Sequence, residues 1–240
     1  MKHTFLTLAL LISSFVSALA YDFTAVCETG QELAYTINED KETVCVYKNS
    51  NSISGELIIP ANVEYDSKIY RVTSIGGSAF SDCSGLTSIT IPKSVTSIGW
   101  RAFYDNSGLT SITIPENVTS IDDLAFSGCS GLTSISVEEG NSTYDSRNNC
   151  NAIIRTNTNT LIAGCKTTII PDDVTSIVRW AFYGNSGLTS ISIPESVTNI
   201  GNSAFMFCSL KQITIPANVK TIGESAFYWN YNFTDIAFEN

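Results

Sequence analysis

The stretch Leu86–Gly108 reads LTSITIPKSVTSIGWRAFYDNSG. The phrase that opens it, SGLTSITIP at Ser84–Pro92, returns letter for letter at Ser107–Pro115. Close copies follow as SGLTSISVE from Ser130 and SGLTSISIP from Ser186. The step from Leu86 to Leu109 to Leu132 is 23 residues, and from Leu188 to Leu210 it is 22. A fixed period of this length marks a solenoid, in which each copy is one rung of a stack.

Proline fixes the frame. All six prolines, Pro60, Pro92, Pro115, Pro171, Pro194 and Pro216, sit three places before a valine. An isoleucine follows in most copies (Ile98, Ile121, Ile177, Ile200, Ile222), then an Ala-Phe pair, as at Ala102-Phe103. Within one copy, Ile89 and Ile91 point inward and Thr90 outward, the two-residue alternation of a half-buried strand. Pro92 ends that strand, because it cannot donate to a ladder. Val95, Ile98, Ala102 and Phe103 fill the rest of the rung. A single rung cannot bury this apolar face, so neighbours must stack. Six rungs are expected over residues 55–240.

The frame breaks twice. EYDSKIYR, between Val63 and Val72, reads as a hairpin turning near Asp66-Ser67. Between Leu132 and Leu188 there is an excess of 33 residues over one period. It contains CNAIIRTNTNTLIAGC, a hairpin insertion near residues 140–168, as decoration or as a binding loop. A turn at Asn157-Thr158 would set Ile154 opposite Leu161 and Cys150 opposite Cys165. Residues 21–54 lack the frame. Their QELAYTI and TVCVY alternate as two strands, a β cap for the open end of the stack. Phe233–Phe238 repeats the strand phrase once more and would leave an open edge.

The repeats resemble the BspA-like leucine-rich repeat family, from about Gly55 onward. The strand phrase, the Pro, the Val, the Ile-Gly and the Ala-Phe recur together, and Tyr144–Pro171 resembles an element found within such arrays. The resemblance implies a right-handed leucine-rich repeat solenoid, mostly β with short helical turns, with a parallel sheet on its concave side. It also implies export or surface display, and for a few members adhesion through fibronectin or fibrinogen.

Composition narrows the function. Residues 1–20 carry Lys2, an apolar run from Phe5 to Phe15 and the small-residue end Ala18-Leu19-Ala20, the pattern of a secretory signal cut after Ala20. The run is too short to span a bilayer, and no membrane insertion is expected. The formal charge is −10, which disfavours nucleic acid and anionic surfaces. The single histidine, His3, lies in the signal. The remainder therefore has no Ser–His or Cys–His pair and no His-ligated metal site, and no cofactor is implied.

Seven cysteines remain to be placed. Cys83, Cys129 and Cys208 share one frame position with Asn106, Asn185 and Asn230 in alternate rungs. Two rungs span roughly 10 Å, too far for a disulfide, so buried free thiols are expected there. Cys27–Cys45 and Cys150–Cys165 are possible bridges.

The outward strand positions form a grid: Ser88, Ser111, Ser134, Ser190 and Gln212 in one column, Thr90, Thr113, Ser136, Ser192 and Thr214 in the next. This polar face is the candidate binding site for an extended extracellular protein, a matrix protein among them, or a glycan. Tyr104, Tyr183 and Tyr228, with Trp100, Trp180 and Trp229, are either a second exposed column or the edge of the core. Adjacent acids such as Asp122-Asp123 point apart and are read as solvated surface. The chain is expected to be a non-catalytic, monomeric binding module. The alternative is a structural surface or matrix component that assembles through its open edge.

Overall fold

The computed structural model describes residues 21–48 and 52–239; the expected export signal lies outside them. Strands β1 (Phe23–Val26), β2 (Glu32–Ile37) and β3 (Thr43–Tyr47) form an antiparallel meander at one end. β4 (Gly55–Ile58) opens the first rung. A hairpin of β5 (Asn62–Tyr65) and β6 (Lys68–Ile75) follows, turning at Asp66-Ser67 with φ of 50° and 60°. β3 pairs in parallel with β6, so the meander covers the end of the stack through main-chain bonds. The outer edge of β4 is closed by side chains. The Gln31 amide donates to Ser54 O and Glu56 O, and Ile58 N donates to Thr29 Oγ1.

The rungs build three files. The first holds the strand phrase: β4, β7 (Leu86–Thr90), β9 (Ser111–Ile114), β11 (Ser134–Val137), β17 (Gln212–Ile215) and β19 (Asp235–Phe238). The second begins with the end of β6 and continues through β8 (Ser97–Ile98) and β10 (Ser120–Ile121), all parallel. It resumes as β14 (Thr160–Gly164), β15 (Ser176–Ile177), β16 (Asn199–Ile200) and β18 (Thr221–Ile222). The third file is the Ala-Phe turn. There Phe80 N donates to Ala102 O and Phe103 N to Ala125 O, each at 2.8 Å. The rings stack nearly parallel, Phe80 on Phe103 and Phe103 on Phe126 at 5.5 Å, then Phe182 on Phe205 at 4.9 Å and Phe205 on Phe227 at 5.4 Å. Phe103, Phe126 and Phe182 are buried, as the frame requires.

The insertion is a rung with a detour. After β11 the chain makes β12 (Tyr144–Asp145) and β13 (Ala152–Arg155), antiparallel to each other, before β14 rejoins the second file. Leu161 pairs with Ile177, so it stands in the frame's isoleucine position. Ala163-Gly164 then replaces Ala-Phe, but Ala163 follows Leu161 by two residues, where Ala102 follows Ile98 by four. The corner of this rung is missing. A Cβ on Gly164 would lie 2.1 Å from Phe182 Cε1, so glycine is what lets the shortened rung fit beneath the next ring. The hairpin also divides the buried apolar residues into two clusters, one on each side of it.

Two cysteine expectations are corrected. A bulge between Ile153 and Ile154 keeps Ile154 opposite Leu161 but sets Ala152 opposite Gly164, which slips Cys165 past Cys150. Their side chains enter different clusters, Cys165 the first and Cys150 the second. Cys27 lies level with Gln31 and Cys45 with Thr36, at opposite ends of β2. Five residues of strand, roughly 17 Å, separate those levels, far beyond the ~7 Å reach of a disulfide. All seven thiols are free.

The Cys/Asn file is buried as expected. Cys129 Sγ meets Phe103 O at 3.0 Å and Cys208 Sγ meets Phe182 O at 3.1 Å. Asn230 donates to Phe205 O and Phe227 O and accepts from Leu210 N. Asn106 is as deeply buried, yet neither of its amide atoms has a partner among the described residues.

Two stability outcomes follow from these contacts. Phe103→Ala should cost about 3–5 kcal/mol in chemical denaturation, because its ring is packed on both faces. Asn106→Cys should be neutral or stabilising by about 1 kcal/mol, whereas Asn230→Cys should cost about 1–3 kcal/mol, because only Asn230 has bonds to lose.

Candidate functional site

All ten grid residues face solvent. Ser88, Ser134 and Ser136 are half-buried, and Thr90, Ser111, Thr113, Ser190, Ser192, Gln212 and Thr214 are exposed. The alternation places them there: Ile112, Ile135 and Ile213, their immediate neighbours, are buried. The structure gathers them into two groups. Six lie on β7, β9 and β11, where Ser134 pairs with Ser111 and Ser136 with Thr113. The Thr113 and Ser136 hydroxyls bond each other at 2.9 Å. This half is the more closed of the two: β9 and β11 form a paired ladder, β7 pairs with β4, and Thr110 N donates to Thr87 O between β7 and β9, which share no ladder.

The other four lie where the first file opens. The copy from Ser186 reads as a strand in sequence, but Ser190–Ile193 forms none. The cause lies one rung earlier. Counting back from Pro171, Thr167 and Ile169 occupy the two outward columns and Thr168 the inward one. Thr168 is buried there, donating to Asn151 O at 2.6 Å and accepting from Cys165 N. Ile169 N turns to Cys150 O, which draws this segment toward the hairpin and away from Ser190–Ile193. Toward the next rung the bonds stop after Ser209 N to Leu188 O and Lys211 N to Thr189 O. Among the described residues no backbone hydrogen bond joins Ser190–Ile193 to either neighbour.

The result is a groove of about 660 Å³. Ser190, Ser192, Gln212 and Thr214 line it, with Ile169 and Glu239 at its margins. Ile169 is 74% exposed, an apolar knob among hydroxyls. Sequence reading missed it, although the count back from Pro171 was available.

The aromatic residues form a ribbon along the turn file. Tyr104 meets Tyr183 at 6.4 Å, Tyr183 meets Phe207 at 5.4 Å, and Phe207 meets Trp229 at 4.6 Å. Tyr104 and Tyr183 are half-buried, whereas Tyr228, Trp229 and Tyr231 are exposed. The two readings of this column therefore divide: core edge toward the middle of the stack, open surface near β19. Burial, helped by Asp105, pushes the Tyr104 hydroxyl up to about 12.

Among the described residues no three His, Cys, Asp or Glu side chains gather to hold a metal ion, and no helix is long and apolar enough to cross a membrane. Burial pushes the Cys129 and Cys208 thiols up to about 12.

A model of the BspA type leucine-rich repeat region matches residues 61–161 and 152–240 in six copies. The chain belongs to this BspA-type leucine-rich repeat family. Its fold is shared with a leucine-rich repeat protein from Eubacterium ventriosum, at a TM-score of 0.50 and 21% identity over 86% of this chain and 70% of that one. A leucine-rich repeat protein of T. pallidum matches at 0.48 and 21% identity, over 85% and 78% of the two chains. A leucine-rich cell surface protein from Faecalibacterium prausnitzii matches at 0.46 and 20% identity, over 91% and 95%. None of the curated proteins matches the sequence. The shortened corner at Ala163-Gly164 and the open stretch at Ser190–Ile193 are departures from the other copies of the repeat within this chain.

At pH 8 a thiol with a pKa of about 12 is ionised in roughly one molecule in ten thousand, so Cys129 and Cys208 should resist a thiol reagent until the protein unfolds. The sign for stability follows. Each folded-state value lies above the ordinary ~8.5, so their contribution is full below that pH and falls as pH rises toward 12. Denaturation at pH 10 should show a loss of about 2 kcal/mol per thiol relative to pH 7.

Proposed function

We propose that this chain is an exported, non-catalytic binding module. It recognises an extracellular protein, such as a matrix protein, or a glycan through the first strand file. The single observation that carries the reading is the groove at Ser190–Ile193. Every strand of the file is paired with a neighbour on at least one side, β4 with β7, β9 with β11 and β17 with β19; at Ser190–Ile193 neither side is paired, and its donors and acceptors are left for a partner. Uncommitted hydroxyls and the Gln212 amide surround them, and Ile169 offers apolar area beside them. An extended peptide or glycan meets these demands, because main-chain bonds give affinity and side chains on alternate positions give selectivity. The apolar leader at residues 1–20 supports an extracellular or surface location.

A second reading is self-association. Among the described residues, β19 pairs only with β17, and six of the eleven exposed large apolar side chains fall between Ile222 and Phe238.

The experiment is capture of the protein by a panel of immobilised matrix proteins and a glycan array. Ser192→Arg with Thr214→Arg should abolish capture while the denaturation curve is unchanged, and Thr90→Arg on the more closed half should leave most of it. Capture that survives the groove pair overturns the reading. Sedimentation across a hundredfold range of concentration decides the second reading. A single monomeric species throughout excludes it.

A further inference from the structure

The shortened rung leaves a notch in the wall of the stack. In complete rungs the turn file is a ladder: Arg101 N donates to Asp123 O, Phe103 N to Ala125 O and Asp105 N to Ser127 O. One rung later the same positions are Leu124, Phe126 and Gly128. Gly128 N reaches across to Tyr183 O at 2.8 Å. The missing corner would have supplied the other two acceptors. The Ala181 carbonyl takes Gly164 N, and among the described residues neither Leu124 N nor Phe126 N has a partner. The second file parts at the same level. Val178 N donates to Leu161 O, so β10 has no parallel neighbour on this side.

The notch is a cleft of about 410 Å³ lined by both unpaired amides' residues and by Ile121, Arg155 and Asn202. It spans two rungs and is bridged at one point by the ion pair of Arg179 with Asp123. Arg155 is the uncommitted charge. It is half-buried, it lies 5.9 Å from the centre of the Tyr144 ring, and among the described residues it forms no ion pair or side-chain hydrogen bond. In a chain of net charge −10, a half-buried guanidinium with no carboxylate within ion-pair distance calls for an anion. Around it stand groups suited to hydroxyls. Asn202 Oδ1 accepts from Glu224 N, which leaves its amide N–H free to donate. The Asp122 carboxylate, exposed on the rim, has no hydrogen-bond partner among the described residues. The Ser176 hydroxyl, which accepts from Asn199 Nδ2 at 3.1 Å, keeps its own proton to give.

We propose that this notch binds a sugar residue carrying a carboxylate. Arg155 and the amides of Leu124 and Phe126 take the carboxylate; Asn202, Ser176 and Asp122 take ring hydroxyls. The volume lies in the range of small-ligand sites. The site shares no residue with the groove of the first file, so it stands or falls independently of that surface.

The test is amide chemical-shift mapping on the folded chain with four probes: methyl glucuronide, the methyl glycoside of N-acetylneuraminic acid, methyl glucoside and acetate. One or both sugar acids should shift the Leu124 and Phe126 amides saturably. The uncharged glucoside should bind at least tenfold more weakly. Arg155→Gln should weaken the sugar acid at least tenfold with its melting curve unchanged, and Asn202→Ala, on an exposed position, should weaken it severalfold. Ser192→Arg with Thr214→Arg should leave it unaltered. No saturable shift of either amide with any sugar acid overturns the proposal, and so does undiminished binding in Arg155→Gln. Acetate binding as tightly as the sugar acids overturns the sugar assignment, leaving a bare anion site.

Discussion

The stacked phenylalanines of the turn file set the vertical spacing of the molecule. Rings centred 4.9–5.5 Å apart and nearly parallel match the separation of neighbouring strands, so the turn file and the two strand files can all close at once. Backbone ladders fix the register and the rings exclude water from between the rungs. Neither would suffice alone, because a rung without its neighbour exposes both its apolar face and its main-chain groups. Where a ring is absent, at Gly164, both features change together: the stack is interrupted and the ladder skips a rung.

Each corner is sharp enough to need left-handed backbone. Ser78, Arg101, Leu124, Trp180, Ser203 and Ser225, all just before Ala-Phe, have φ between 54° and 60°. This conformation costs an ordinary side chain about 1–2 kcal/mol. It persists because the main-chain N–H of Ser78, Arg101, Trp180 and Ser203 each reaches the next rung from that geometry. Among the described residues, Ser225 in the last rung and Leu124 have the strain without the bond. The Leu124 conformation is held by the rest of its own rung, and Leu124 lines the notch.

The repeat made most of this architecture readable in advance. Proline spacing gave the frame, alternation gave the inward and outward columns, and the Cys/Asn alternation marked one buried file. Other features resisted for definite reasons. β1 carries no repeat letter, and the parallel pairing of β3 with β6 joins segments that no local pattern connects. The bulge at Ile153 is invisible in composition, yet it decides which cluster each cysteine enters. The opening at Ser190–Ile193 depends on a neighbour's course rather than on its own letters, which match the paired copies almost perfectly. The grid residues were legible as positions; the groove among them, and the notch behind them, were not.

The hairpin also sets where the molecule is mechanically weakest. Within each stack, successive rungs share the ladders of the second file and of the turn file and a common core. Across the notch the connection falls to a few bonds, among them Gly128 N to Tyr183 O, Thr167 Oγ1 to Thr133 O and the Arg179–Asp123 pair, together with the hairpin strands themselves. Under tension applied along the stack, as when one end is held and a bound partner pulls on the other, the two halves would part at this seam before either unravels.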